Sequence, residues 1–152
     1  MPYNELKDKV PPHNLEAEQA TLGALLLNWD AVSNVISLLD SQKFYSYQNR
    51  LIYEAMISLF RQNIHGDTLA LINELTKTGK LEEAGGAAYI ASLTDLVPTA
   101  ANVEFYAKIV LDQSIRRELI KISQDLKLNA FDETKESRSI IEEAEKLIFT
   151  LS

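Results

Sequence analysis

The residues that could do chemistry are few, and their spacing decides against most of it. Gly79-Lys80 invites a phosphate-loop reading, in which the backbone N–H groups of a glycine-rich turn and a lysine cradle a phosphate chain. That motif needs glycine five residues upstream and Ser or Thr next, yet Glu74 and Leu81 stand there. Gly85-Gly86 lacks a third glycine and follows no strand, so it reads as a break between helices, not a dinucleotide fingerprint. His13 and His65 are far apart, neither begins an H-x-x-x-H or H-E-x-x-H pattern, and a metal site is not expected. There is no Cys, which excludes thiolate nucleophiles, disulfides and Cys-ligated clusters. The pairs Glu82-Glu83 and Glu142-Glu143 sit among charged neighbours, where carboxylates keep ordinary pKa values and have no catalytic leverage. No catalytic, cofactor-binding or metal-binding residue is expected.

Charge narrows the field further. Fifteen Lys and Arg against 22 Asp and Glu leave a formal charge of -7, a field that repels polyanions. Arg116-Arg117, with Lys108, Lys121 and Lys127, gives one segment some positive charge. Asp112, Glu118 and Asp125 are interleaved and are read as largely cancelling it, so DNA contact is expected to be weak at most. Tyr89, Tyr106 and Trp29 fall at apolar helical positions or a cap, which favours core roles over base stacking. No apolar run reaches the roughly 18 to 20 residues of a membrane span. The N-terminus lacks a signal-peptide pattern, and a cytoplasmic setting is expected.

The elements that position these residues read as helical throughout. Apolar residues make up 46% of 152 residues, with five Gly and four Pro, the composition of one folded module. Pro2, Pro11 and Pro12 mark residues 1–12 as a flexible arm. Asn14 can cap a first helix with Leu15, Leu22, Leu25 and Leu26 on its apolar side. A second follows Asn28 or Asp30, with Val32, Val35, Ile36 and Leu39 inward. Ser46 caps a third, carrying Ile52, Ala55, Met56 and Leu59 and closed by His65-Gly66. Asp67 caps a fourth with Leu69, Ile72 and Leu75 inward and Gly79 as its left-handed stop. Tyr89, Ile90 and Leu93 mark a fifth, which Pro98 ends. No strand pair is visible, so the fold class is all-α: a compact multi-helix head over 13–100, followed by a long C-terminal αα-hairpin over 101–152.

The hairpin follows from a change of face. From Thr99 or Asn102 a pattern without Gly or Pro runs to about Ala130; Val103, Tyr106 and Val110 cluster on one side, and Ile115, Leu119, Ile122 and Leu126 roughly opposite. The first turns should pack on the head and the remainder should pair with something else. A capping box, Ser139-x-x-Glu142, starts a last helix with Ile140, Ala144, Leu147 and Leu151 inward. Ile115, Leu119, Ile122, Leu126, Ile140, Leu147 and Leu151 therefore form the hairpin seam. Ile120, Leu128 and Phe131, with Ile141 and Ile148, form a second ridge that two helices cannot bury. A hairpin of about 50 residues is too small to sustain its own core, so these residues are expected to meet another copy. The alternative is that the ridge folds back on the head.

The runs PPHNLEAEQATLGALLL (11–27), RLIYEAM (50–56), LEEAGGAAYIASLTDLVPTAANVEFYAKIV (81–110) and RRELI (116–120) resemble the N-terminal domain of bacterial replicative DNA helicases of the DnaB family. The match spans about 12 to 151. Gln48-Asn49 and His65-Gly66 depart from the family's usual residues, which touches local surface detail only. The resemblance implies a head and hairpin followed, in the parent protein, by a motor domain absent from this chain, which hydrolyses ATP with Mg and translocates on DNA. It implies no enzyme activity or cofactor for this piece, hairpin-paired dimers, a hexameric collar, primase docking, and a helicase loader as a further partner in a bacterial cytoplasmic, nucleoid-associated setting. Tyr89 matches the family's GG-x-x-Y position, from which it could face the hairpin root, although core packing is the plainer role. A stand-alone helical adaptor without a motor is the rival reading.

Overall fold

The computed structural model describes residues 9–99 and 102–152. Among these described residues seven α-helices follow one another: α1 Leu15–Leu27, α2 Val32–Leu38, α3 Tyr47–Arg61, α4 Thr68–Lys77, α5 Gly86–Ser92, α6 Val103–Phe131 and α7 Ser137–Leu151. Short 3-10 turns occupy Trp29–Ala31, Ser41–Lys43 and Leu93–Leu96. No strand occurs among the described residues. Most of the expected arm, residues 1–8, lies outside the described residues.

Local chemistry sets the helix ends. Asn14 accepts a hydrogen bond from the Ala17 N–H at 2.9 Å, and Asp67 accepts one from Ala70 at 2.7 Å; each satisfies an N–H with no intrahelical partner. Gly79 sits at φ 72°, and the Lys80 N–H reaches back to the Leu75 carbonyl at 2.8 Å, the left-handed exit glycine permits. Two expected ends differ. Asn63, at φ 58°, and not His65-Gly66, closes α3, because an asparagine tolerates the left-handed conformation. Helix α7 begins at Ser137 behind Glu136, so Ser139 lies inside the first turn and the expected capping box is not its cap.

The chain packs as two compact units, and the first is His13–Asp112. Its core gathers Leu22 and Leu25 from α1, Val35 from α2, Ile52, Tyr53 and Met56 from α3, Leu71 and Leu75 from α4, Ile90 from α5, and Val103, Tyr106, Ala107 and Val110 from α6. The unit therefore extends past the 100/101 division drawn from the sequence, since the opening turns of α6 belong to the core. Leu69, expected inward, is 76% exposed; the buried face of α4 is Leu71, Glu74 and Leu75, one step round the helix. Leu15 is also largely exposed.

Burial sets the behaviour of two phenols here. The Tyr53 hydroxyl donates to the Leu39 carbonyl at 2.9 Å, and burial pushes its pKa well up. Burial raises Tyr89 as well. A phenol whose folded pKa exceeds its unfolded value adds stability that is whole below the unfolded value of about 10 and is lost as pH climbs through the folded one. Unfolding free energy is expected to fall as pH rises above 10, and Tyr53→Phe should flatten that decline. Denaturant melts at pH 9 and 11 check this; equal slopes in both proteins would refute it.

Candidate interaction surfaces

The second unit contains Gln113–Ser152, the distal part of α6 and all of α7. Ile122, Leu126, Ile140, Ala144 and Leu147 line a small crevice of about 20 Å³ between the two helices. This brings together four of the expected seam residues. Ile122 is 8% exposed; Ile115, Ile140 and Leu151 are half-buried. Leu119, Leu126 and Leu147 remain more open, at 44%, 38% and 36%. Among the described residues of this unit, only Ser114 and Ile122 are buried. At the connecting turn the Asp132 carboxylate accepts from the Thr134 N–H at 3.0 Å and its hydroxyl at 2.6 Å, which holds its pKa below the usual range.

Helix geometry sorts the exposed residues by side. Taking the crevice as zero and about 100° per residue, Ile141 and Ile148 are rotated roughly 90–110° in one sense on α7, and Ile120 roughly 170° on α6. Ile141 and Ile148 therefore share one side of the pair, and Ile120 stands on the outer edge of α6 beside Phe131. Ile120, Ile141 and Ile148 are 43%, 56% and 49% exposed. The opposite side of α7 carries Ser139 and Thr150, while Glu143 lines the crevice. Leu128, Phe131 and Phe149 lie on the outer edges, at 70%, 78% and 79% exposed. Phe149 was not among the expected interface residues; its place opposite the α7 seam was the signal available for it.

The acids of α6 stay beside its cations: Asp125, which lines the crevice, is four residues from Lys121 and Glu118 three, both neighbour spacings on a helix, and Asp112 stands four residues from Lys108 within the head unit. Arg117 donates through Nη1 to the Pro12 carbonyl at 2.8 Å.

Tyr89 is placed differently from the ridge. It is half-buried within the head, where its hydroxyl donates to the Asn49 Oδ1 at 2.6 Å. Asn49 Nδ2 in turn donates to the Glu18 carboxylate at 3.0 Å, a buried acid that sequence spacing alone does not single out.

The residues set aside for lack of a chemical pattern have structural occupations. His13 stacks on Tyr45 with ring centroids 4.1 Å apart, and His65 lies 6.3 Å from the Trp29 ring. Glu83 accepts from the Tyr47 hydroxyl at 3.0 Å. Gly85 and Gly86 take φ of 102° and 83° at the entry to α5. No cluster of metal-ligating side chains occurs among the described residues, and none of their helices is long and apolar enough to cross a membrane.

These features define a class: an all-helical head with a helical hairpin, whose distinguishing surfaces are exposed apolar faces. Residues 10–112 match the DnaB-like helicase N terminal domain family. The chain is 42% identical over 151 residues to the replicative DNA helicase DnaB of Treponema pallidum, covering 99% of this chain and 34% of that protein. It is 38% identical to the replicative DNA helicase DnaC of Bacillus subtilis, over 97% of this chain and 32% of that protein. The crystal structure of the N-terminal domain of DnaB helicase from Mycobacterium tuberculosis superposes with a TM-score of 0.85 at 31% identity, covering 92% of this chain and 99% of that one. A DnaB-like replicative helicase described with its interactions with primase shares the fold, at a TM-score of 0.75 and 24% identity over 91% of this chain and 32% of its own. The chain belongs to the DnaB-like helicase N-terminal domain family. It spans about a third of the length of the curated relatives it matches.

Proposed function

We propose that this chain is the assembly and partner-recruitment domain of a hexameric replicative DNA helicase. In this reading the ATP- and Mg-dependent motor lies in another part of the parent protein, and the piece itself catalyses nothing. It contributes to the ring's collar, docks primase, meets a helicase loader in some contexts, touches DNA weakly and works in the bacterial cytoplasm at the nucleoid.

The observation that carries this is the hairpin. Among the described residues its single buried large apolar side chain is Ile122, while Ile120, Leu128, Phe131, Ile141 and Ile148 are exposed. Exposed apolar area of this kind is stabilised by burial at about 25 cal/mol per Å², and apolar surface offered by both helices suits a two-fold pairing of hairpins into a four-helix bundle. The seam residues Ile115, Leu119, Ile122, Leu126, Ile140, Leu147 and Leu151 then shape each hairpin, and Ile120, Leu128, Phe131, Ile141 and Ile148 meet the neighbouring protomer or primase.

Ile120→Asp with Ile148→Asp is expected to convert dimers to monomers at unchanged helicity, read by native mass spectrometry beside circular dichroism. Unchanged mass would defeat the pairing. Recruitment is read separately, by co-sedimentation of the chain with its cognate primase.

A further inference from the structure

A groove of about 350 Å³ opens within the head unit, between the first turns of α1, the segment that follows the 3-10 turn Leu93–Leu96, and α6. The small side chains of Ala17 and Ala20 leave space there, and Leu96, Pro98, Tyr106 and Ile109 border it. Leu96 is 46% exposed. The charged side chain in the lining is Glu16, which is exposed. Its acidity is not local chance: no Lys or Arg occurs between Lys9 and Lys43 or between Lys80 and Lys108, where eight Asp and Glu stand. Every lining residue except Ile109 comes from these two base-free segments. Lys108, the next base along α6, is turned about 100° or more from both Tyr106 and Ile109. The result is an apolar groove with an acid on its rim and no base in its lining.

We propose that this groove receives a basic amphipathic helix from a partner protein. Apolar residues of that helix would fill the space over Ala17 and Ala20 and cover Leu96, and a Lys or Arg on its margin would meet Glu16. The assignment deepens the recruitment role proposed above and rests on it. Two other occupants fit less well. A nucleic-acid strand would bring its phosphates to an acid with no base to receive them. A second copy would have to offer a basic apolar segment; the stretch of this chain richest in bases is 116–127, where Arg116, Arg117 and Lys127 already have interactions of their own.

The test uses the full chain and a labelled 18-residue helical peptide with leucine at i, i+3, i+4 and i+7 and lysine on both flanks. Fluorescence anisotropy is expected to show saturable binding that weakens with salt. Glu16→Lys should weaken it about fivefold or more. Glu82→Lys changes the net charge equally at a position that does not line the groove, and should leave affinity within about twofold. Leu96→Ser should weaken binding about fivefold without altering the salt dependence, and should leave the native mass of the protein unchanged. A glutamate-flanked peptide and an oligo-dT strand should not bind at the same concentrations. The assignment is overturned if either binds in preference, if Glu82→Lys weakens binding as much as Glu16→Lys, or if the wild type binds nothing. A lower native mass in Leu96→Ser would place a second copy in the groove and overturn it too. If primase co-sediments while the peptide result is negative, recruitment stands and this groove is not its seat. If primase fails to co-sediment while the peptide binds as expected, the groove's chemistry stands and the primase reading falls.

Discussion

Gly23→Ala is expected to destabilise the head by about 3 kcal/mol and to lower its melting temperature by roughly 10 °C. Gly23 lies in the middle of α1 and is buried. A Cβ built there would stand 2.2 Å from the Leu93 carbonyl oxygen and 2.4 Å from Val97 Cγ2. A flexible side chain could turn away from such an approach, but Leu93 presents its backbone, in the 3-10 turn that follows α5. Either α1 or that turn must shift, and each is held by core residues: Leu22 and Leu25 on one, Ile90 and Leu93 on the other, all fully buried. In a helix interior alanine is otherwise favoured over glycine by about 1 kcal/mol, so propensity and packing predict opposite signs here. Urea unfolding followed by circular dichroism decides between them. A stabilised Gly23→Ala protein would mean that the close approach relaxes at little cost. Gly79→Ala makes the useful contrast, since it meets nothing within 4 Å and should lose only about 1 kcal/mol, through its left-handed φ.

What could be read in the sequence follows from the range of the physics involved. Helix existence was legible because caps and 3.6-residue periods are local: Asn14, Ser46, Asp67 and Gly79 each occupy the role their spacing suggested. The change of face along α6 was legible for the same reason, with Val103, Tyr106 and Val110 buried in the head and Ile122 and Leu126 turned to α7. Leu69 was misplaced because Leu69, Ile72 and Leu75 fit the helical period of α4 as well as Leu71 and Leu75 do, and only packing against its neighbours buries Leu71 and leaves Leu69 out, while Ile72 and Leu75 stay on the core side. The polar bonds of Glu18 reach to residues 27, 28 and 31 positions away, and no local pattern announces bonds of that span.

Glu18→Ala is expected to cost roughly 3–5 kcal/mol, the largest loss from any single polar side chain in the head. Glu18 is 1% exposed. One carboxylate oxygen accepts from the Tyr45 N–H at 2.8 Å; the other accepts from the Ser46 N–H at 3.2 Å and from Asn49 Nδ2 at 3.0 Å. Tyr45 and Ser46 lead into α3, so the acid also faces the positive end of that helix. Removing it strands three donors away from water. Glu18→Gln keeps the shape but turns an NH₂ toward N–H donors, and should cost about 2 kcal/mol, less than alanine and well above zero. The outcome bears on Tyr89, because its hydroxyl donates to the Oδ1 of the same Asn49. If Tyr89 belongs to this network, Tyr89→Phe should cost about 1 kcal/mol, and its effect should shrink once Glu18 is gone, since the two substitutions share Asn49 as a partner. If Tyr89 instead serves as a partner contact, Tyr89→Phe should leave the unfolding curve in place and weaken primase co-sedimentation. A double-mutant cycle of Glu18→Ala and Tyr89→Phe, with co-sedimentation measured on the single Tyr89 variant, separates the two roles: strict additivity with weakened primase binding would take Tyr89 out of the network and return it to the surface.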